Sequence, residues 1–254
     1  MKALGVIPAR AGASRFPGKP LAALRGRPLV AHVWERARSC PRLDRVVIAT
    51  DDDAIAAVAR GFGAEVVLTR IDHASGTDRV AEVAARAEFA GYDVVANVQG
   101  DEPLLDPAAL AAAIAPVAAG EAVFATLAHV EHDPGAFASP HVVKVALDAR
   151  GDATAFTRTP PAAAAGPGPA GFLRHVGLYV YTRDTLLAFA ALPPTEDERR
   201  ERLEQLRALG HGIRVRVVIT PYVSRGVDTP ADLAALERDW DRLAPRASSR
   251  ESTR

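Results

Sequence analysis

Along most of the chain, short apolar runs alternate with segments whose apolar residues recur at helical spacing. Residues 3–7 form an unbroken apolar run ending at Pro8, which reads as a buried strand. Leu29, Val30, Val33, Trp34 and Ala37 make a stripe that predicts a helix, with Pro28 in its first turn and Trp34 in the core. Further strands are predicted over 45–50, 65–68 and 93–99, with helices over 54–62 and from the polar turn at 72–79 onward. That second helix would bury Val80, Val83, Ala84 and Ala87. Downstream, the pattern predicts an alanine-rich helix over 108–118 and strands over 123–130, 141–148, 172–182 and 213–220. It also predicts a helix near 184–190 and one charged helix over 196–209. The last helix opens with Thr229 as cap, Pro230 in the first turn and Asp232 near the capping-box position; Leu233, Leu236, Trp240 and Leu243 form its buried face. Alternation of this kind predicts an α/β fold, a mainly parallel twisted sheet with helices on both faces.

Composition narrows the partners. Lys plus Arg and Asp plus Glu number 31 each, so the net formal charge is zero. This argues against nucleic acid or an anionic membrane as the main partner and leaves electrostatic work to local clusters. The lone Cys40 excludes an internal disulfide and suits a reducing cytoplasm. No apolar run approaches a membrane span, and the chain enters its first strand with no signal peptide in front, so a cytoplasmic protein is expected. About half of the 254 residues are hydrophobic, enough for one α/β domain over 1–246, with 247–254 as a frayed tail and the Ala/Gly/Pro stretch at 160–169 as a mobile linker.

The candidate chemistry lies in the loops that follow strands. The first loop carries Gly12, Gly18, Pro17 and Pro20 together with Arg10, Arg15 and Lys19. Backbone amides beside glycine, with cations close by, suit a polyphosphate. Two familiar templates fail: five residues separate Gly12 from Gly18, Pro20 stands where a Walker A loop needs its hydroxyl, and no G-x-G-x-x-G is present. Asp51, Asp52 and Asp53 end the second strand; Asp52 or Asp53 would cap the next helix, yet carboxylates at this edge also sit where open α/β sheets bind ligands. Ser75 or Thr77 reads as an N-cap, and His73 as a surface or satisfied histidine. Arg79 is oddly placed, because a cation in a first helical turn opposes the helix dipole. Asp101 leaves a strand through Gly100 and suits Mg²⁺ beside a phosphate, whereas a plain turn favours the same residues. Asp228 precedes the last helix without being needed by its cap.

Taken together, IPARAGASRFPGKP, IATDD, DHASGTDRVAE, NVQGDEP, FLRHVGLY, LEQLRALGHG and GVDTPADL resemble the 3-deoxy-manno-octulosonate (Kdo) cytidylyltransferases, in order, across roughly residues 2–236. The opening loop is shared with sialic acid synthetases and other sugar nucleotidyltransferases. The resemblance implies a nucleotide-diphospho-sugar transferase fold, usually a homodimer, that makes CMP-Kdo and pyrophosphate from CTP and Kdo with Mg²⁺ and so serves lipopolysaccharide synthesis. It implies Arg10, Ser14, Arg15 and Lys19 as triphosphate contacts, with Ser75 and Gly76 also in the nucleotide site. Asp101 and Asp228 match its metal-binding aspartates, and Lys19 joins them as catalytic. Arg79, Gln99, His175, Glu204 and Gln205 match positions lining its sugar-acid pocket, with Arg79 meeting the sugar carboxylate. The sugar-pocket and dimerisation region would span about 129–212.

One segment departs from the family pattern. Where the family continues from a serine-arginine pair into an Ile-Pro segment, this chain reads Phe156-Thr157-Arg158-Thr159-Pro160-Pro161 and then the Ala/Gly/Pro stretch. The cytidylyl chemistry is untouched, but the sugar is left open to 8-amino-Kdo, sialic acid or another 3-deoxy-2-ulosonic acid, and a non-catalytic nucleotide-binding homologue is the alternative of a different class.

Overall fold

A computed structural model describes residues 1–12, 16–160 and 170–243. Residues 161–169 of the linker predicted over 160–169, and the tail at 247–254, lie outside the described residues. In chain order, β1 (Ala3–Ala9) is followed by a small hairpin, β2 (Ala23–Leu24) and β3 (Arg27–Pro28), and by α1 (Leu29–Arg38). Next come β4 (Arg45–Thr50), α2 (Asp53–Gly61), β5 (Glu65–Leu68), α3 (Gly76–Ala85), β6 (Val94–Asn97) and α4 (Pro107–Ala118). The second half adds β7 (Phe124–Glu131), α5 (Pro134–Ala138), β8 (Lys144–Leu147), β9 (Ala153–Thr157), β10 (Phe172–Thr182) and α6 (Arg183–Ala191). It ends with α7 (Glu196–Glu201), α8 (Gln205–Gly210), β11 (Arg216–Ile219) and α9 (Pro230–Leu243).

The main sheet runs β11-β7-β10-β6-β1-β4-β5, with β8 and β9 attached beside β10. β1 is an interior strand, parallel to β4 and β6, and all its residues except Pro8 are buried. The one reversal in the seven-strand path is β10, antiparallel to both β6 and β7. Its register, Tyr179 opposite Asn97 and Thr182 opposite Val94, carries the first half of β10 past the carboxyl end of β6. His175 is thereby delivered to the edge where the loops after β1 and β6 also emerge. A bulge between Val176 and Tyr179 is held by Thr126, whose hydroxyl lies 3.2 Å from the Val176 carbonyl and 2.8 Å from that of Leu178.

Helices cover both faces, as the alternation predicts. α1, α2 and α4 enclose Val33, Trp34, Ile55, Leu110 and Ile114 on one side, while α3, α6 and α8 enclose Val80, Val83, Phe189 and Leu206 on the other. A satellite cluster of Leu24, Leu29, Leu104, Val227 and Leu236 pins α9 beside the hairpin, with Phe16 and Trp240 packed against it.

Three readings of the sequence need correction, and one strand goes unannounced by the pattern. Pro28 is the N-cap of α1 rather than part of its first turn. Ala87 lies beyond α3, which stops where Arg86 turns to extended backbone. Residues 153–157 form a strand that their mixed small and polar composition does not announce. The charged helix expected over 196–209 is two helices, broken at Arg202 in the left-handed region with φ 54°. The break lets Leu203 and Leu206 turn into the core while Glu204 and Gln205 face a cleft.

Candidate active site

The carboxyl ends of β1, β6 and β11 send their loops to a common edge, and three charged side chains meet there. Lys19 Nζ donates to Asp101 Oδ2 at 2.8 Å and lies 3.4 Å from Asp228 Oδ1. Each partner is held by its own local structure. Gly100 lets the β6 turn press against β1, since a Cβ there would sit 2.8 Å from the Pro8 carbonyl. Asp228 precedes α9, where Asp232 accepts hydrogen bonds from the Asp228 and Thr229 amides at 3.1 and 2.8 Å and Thr229 Oγ1 accepts from the Asp232 amide at 3.2 Å, a closed capping box. Lys19 lies in a 3-10 turn opened by Gly18 at φ 70°, a conformation that suits glycine. Gly100→Ala is therefore expected to destabilise the fold by about 1–3 kcal/mol through overpacking against backbone, measured by urea denaturation; an unchanged midpoint would refute the close approach.

Two cavities join at this cluster. The smaller, about 280 Å³, opens along the first loop and is lined by Arg10, Phe16, Lys19, His73, Ser75 and Arg79, among others. The larger, about 720 Å³, is bordered by Arg158, Arg174, His175, Tyr179, Glu204 and Gln205, among others. Gly76, Gln99, Asp101 and Asp228 line both. The structure thus gathers most of the expected residues around one junction. Ser14 and Arg15 lie outside the described residues.

Arg79 has a carboxylate partner within the protein. The resemblance gives it the acidic sugar, but it lines the smaller cavity, and its buried guanidinium is 3.2 Å from Asp51 Oδ2, with Thr69 Oγ1 and the Arg70 carbonyl as further acceptors. Asp51 supplies the anion that its awkward helical position demands. Ser75 has the capping role first weighed for it, accepting from the Asp78 amide at 3.2 Å while Asp78 reciprocates. His73 is satisfied, 2.5 Å from Glu82. Burial opposes the Glu82 charge, yet the Arg70 amide, His73 and Arg86 hold that carboxyl down at about 2.

The wall of the larger cavity is polar and incompletely satisfied. Thr77 Oγ1 donates to Glu204 Oε2 at 2.5 Å, and Tyr179 Oη donates to Gln205 Oε1 at 3.1 Å. Among the described residues Glu204 Oε1 and Gln205 Nε2 are buried with no hydrogen-bond partner, one an acceptor and the other a donor, although Arg207 Nη2 lies 3.7 Å from Glu204 Oε1. Buried polar atoms of this kind are completed by a ligand or by water. Four cations, Arg158, Arg174, Arg202 and Arg225, also line this cavity. The sequence offers Thr77 only as a possible N-cap and assigns no role to Tyr179 or Arg158. Tyr179 had a usable signal, because alternation along β10 puts it on the same face as His175; Arg158 had none, since its place depends on Glu201, which accepts its amide at 3.0 Å.

Burial pushes the His175 imidazole down to about 3, so it is neutral at ordinary pH, with Nε2 2.9 Å from Thr126 Oγ1. His32 and His129 are also lowered, chiefly by burial. A histidine whose folded value is depressed binds its proton more readily when unfolded, so stability falls as pH drops below the free value of about 6.5. Glu102 acts the other way, because burial raises its carboxyl. With three groups against one, the thermal midpoint is expected to fall between pH 6.5 and 5, less steeply in His175→Gln; a flat midpoint over that range would contradict these environments.

The chain as a whole is similar to known proteins. A family model described as Cytidylyltransferase matches residues 4–215. The chain is 49% identical over 247 residues to the 3-deoxy-manno-octulosonate cytidylyltransferase of Syntrophotalea carbinolica, covering 93% of this chain and 98% of that protein. It is 50% identical over 239 residues to the protein of the same name from Solibacter usitatus, covering 93% and 94%. A solved structure of a CMP:2-keto-3-deoxy-manno-octonic acid synthetase complexed with CTP superposes with a TM-score of 0.89, at 38% identity, over 95% of this chain and 99% of that one. Among the described residues no helix is long and apolar enough to cross a membrane.

Proposed function

Because the chain belongs to the 3-deoxy-manno-octulosonate cytidylyltransferase family, we propose that it transfers CMP from CTP to the anomeric hydroxyl of Kdo, releasing pyrophosphate. The observation that carries this reading is the meeting of two cavities at Asp101 and Asp228. The smaller, with Arg10, Lys19 and the first residues of α3, takes the nucleotide. The larger takes the sugar acid: its arginines suit a carboxylate, and the unsatisfied Glu204 Oε1 and Gln205 Nε2 suit sugar hydroxyls that accept and donate.

In the reaction the anomeric oxygen forms a bond to the α-phosphorus while the bond from that phosphorus to the bridging oxygen breaks. Pyrophosphate leaves, and the hydroxyl proton passes to solvent. Negative charge crowds both sides of the phosphorus, so the protein's task is positional and electrostatic. Lys19 stands at the junction and supplies positive charge to the departing phosphates. Gln99 lines both cavities and is placed to orient the two substrates against each other. His175, neutral, shapes the sugar wall and moves no proton.

We infer Mg²⁺ as the divalent ion for this carboxylate pair. Two carboxylates converge on one ammonium at 2.8 and 3.4 Å, offering hard oxygen donors to a common point, and Mg²⁺ is commonly bound by one or two carboxylates with phosphates and water completing the shell. Bound there, it would supply charge neutralisation at the phosphates and acidify a coordinated hydroxyl. The reading extends to a cytoplasmic homodimer whose product serves lipopolysaccharide synthesis.

The test is pyrophosphate release across CTP, UTP and ATP against Kdo, 8-amino-Kdo and N-acetylneuraminate. Release with CTP and Kdo supports the reading. Release with N-acetylneuraminate but not Kdo would replace the sugar, and CTP binding without turnover on any of them would make the chain a binding homologue.

A further inference from the structure

The residue after Asp101 has a separate set of partners. Glu102 Oε2 accepts from Tyr222 Oη at 2.9 Å and from the Arg225 amide at 3.2 Å, and its Oε1 accepts from Ser224 Oγ. Three donors within four residues converge on one carboxylate 120 or more positions earlier in the chain. A backbone bond ties the same two stretches together, from the Val227 amide to the Asp101 carbonyl at 2.9 Å. Gly226 marks the close approach, because a Cβ there would lie 3.2 Å from Glu102 Oε1. Asp228 follows two residues later, and the stretch between is too short to absorb a shift in the clasp.

We propose that Glu102 is a positioning residue that sets the separation of Asp101 and Asp228 by clasping residues 222–226 against the turn that carries Asp101. The inference rests on reading Asp101 and Asp228 as the pair at the reacting phosphorus. Glu102 does not serve as a further ligand there, because both its oxygens are engaged by Tyr222, Ser224 and Arg225. Asp101 and Asp228 lie far apart in the sequence and share no element; Lys19 joins them by charge, and Glu102 joins their backbones. A hydroxyl can donate or accept, so glutamine can reproduce the clasp: its carbonyl oxygen accepts from the Arg225 amide and Tyr222, and its NH₂ donates to Ser224 Oγ.

The experiment compares the full chain with Glu102→Ala, Glu102→Gln and the double variant Tyr222→Phe/Ser224→Ala. Two readouts are needed: steady-state kinetics with CTP and Kdo, and amide hydrogen exchange of the metal-free, substrate-free protein. Glu102→Ala is expected to lower kcat about 10²-fold, the scale of a misplaced reacting group, with KM for CTP within a few-fold. Exchange at the Arg225 and Val227 amides should quicken while β1 and β4 amides keep their protection. Glu102→Gln should hold both readouts near wild type, and the double variant should follow alanine. Should Glu102→Ala not fold, the glutamine and double variants decide alone. Unchanged exchange at Arg225 and Val227 in Glu102→Ala, or in the double variant, would overturn the clasp. So would a glutamine variant as slow as alanine with wild-type exchange, which would give the role to the charge. Wild-type protein inert toward CTP and Kdo would count against the proposed function, while the exchange measurement would still judge the clasp.

Discussion

Asp101→Asn is expected to lower kcat by roughly 10³-fold or more while the protein still unfolds in one cooperative transition, a loss on the scale of removing an electrostatic contact made at the transition state. The side chain keeps its shape, so β6 and the Gly100 turn are undisturbed; what goes is a negative charge 2.8 Å from Lys19 and a hard donor at the cavity junction. Half-saturation by Mg²⁺ should move to higher concentration, because one of the two carboxylates is gone. Steady-state kinetics across Mg²⁺ concentrations and a urea melt check this together. An active variant with an unchanged metal dependence would remove Asp101 from the reacting centre.

Lys19→Met carries the second large effect. The ammonium is only 14% exposed and holds both carboxylates, so its loss leaves Asp101 and Asp228 facing the same space uncompensated. The departing pyrophosphate loses a fixed cation as well. A fall in kcat/KM of about 10²–10³-fold is expected, read in single-turnover CMP transfer. Lys19→Arg should recover little, since a planar guanidinium cannot take the place of a compact point charge between two carboxylates. A loss below about fivefold, under one decade against the roughly two to three that a catalytic electrostatic contact supplies, would show that Lys19 only balances charge.

Much of this was legible in the chain because it is local. β4, β5 and β10 fall where the apolar runs place them, and Thr229 with Asp232 forms the predicted capping box. Convergence of the loops after β1, β6 and β11 follows from a parallel sheet, whose strand ends share one edge. What the chain hid is long-range. Nothing local says that β10 runs antiparallel between β6 and β7, and that reversal is what brings His175 to the site. Arg79 signals an anion by its helical position, yet the sequence cannot say that the anion is Asp51 rather than a ligand. The break at Arg202 lacks a glycine to mark it, so Glu204 and Gln205 reached the candidate site through the resemblance and not through periodicity. Glu102 carries no local sign of its role, because its partners lie some 120 residues away.

The central claim is that a nucleotide and an acidic sugar meet at the junction marked by Asp101, Asp228 and Lys19. A crystal structure of the protein with Mg²⁺, CTP and an unreactive Kdo analogue lacking the anomeric hydroxyl tests it most directly. The account predicts the triphosphate along the first loop, the sugar acid against Glu204 and Gln205, and density for a divalent ion in contact with Asp101 and Asp228. A triphosphate bound away from that pair, or a metal held elsewhere, would contradict it.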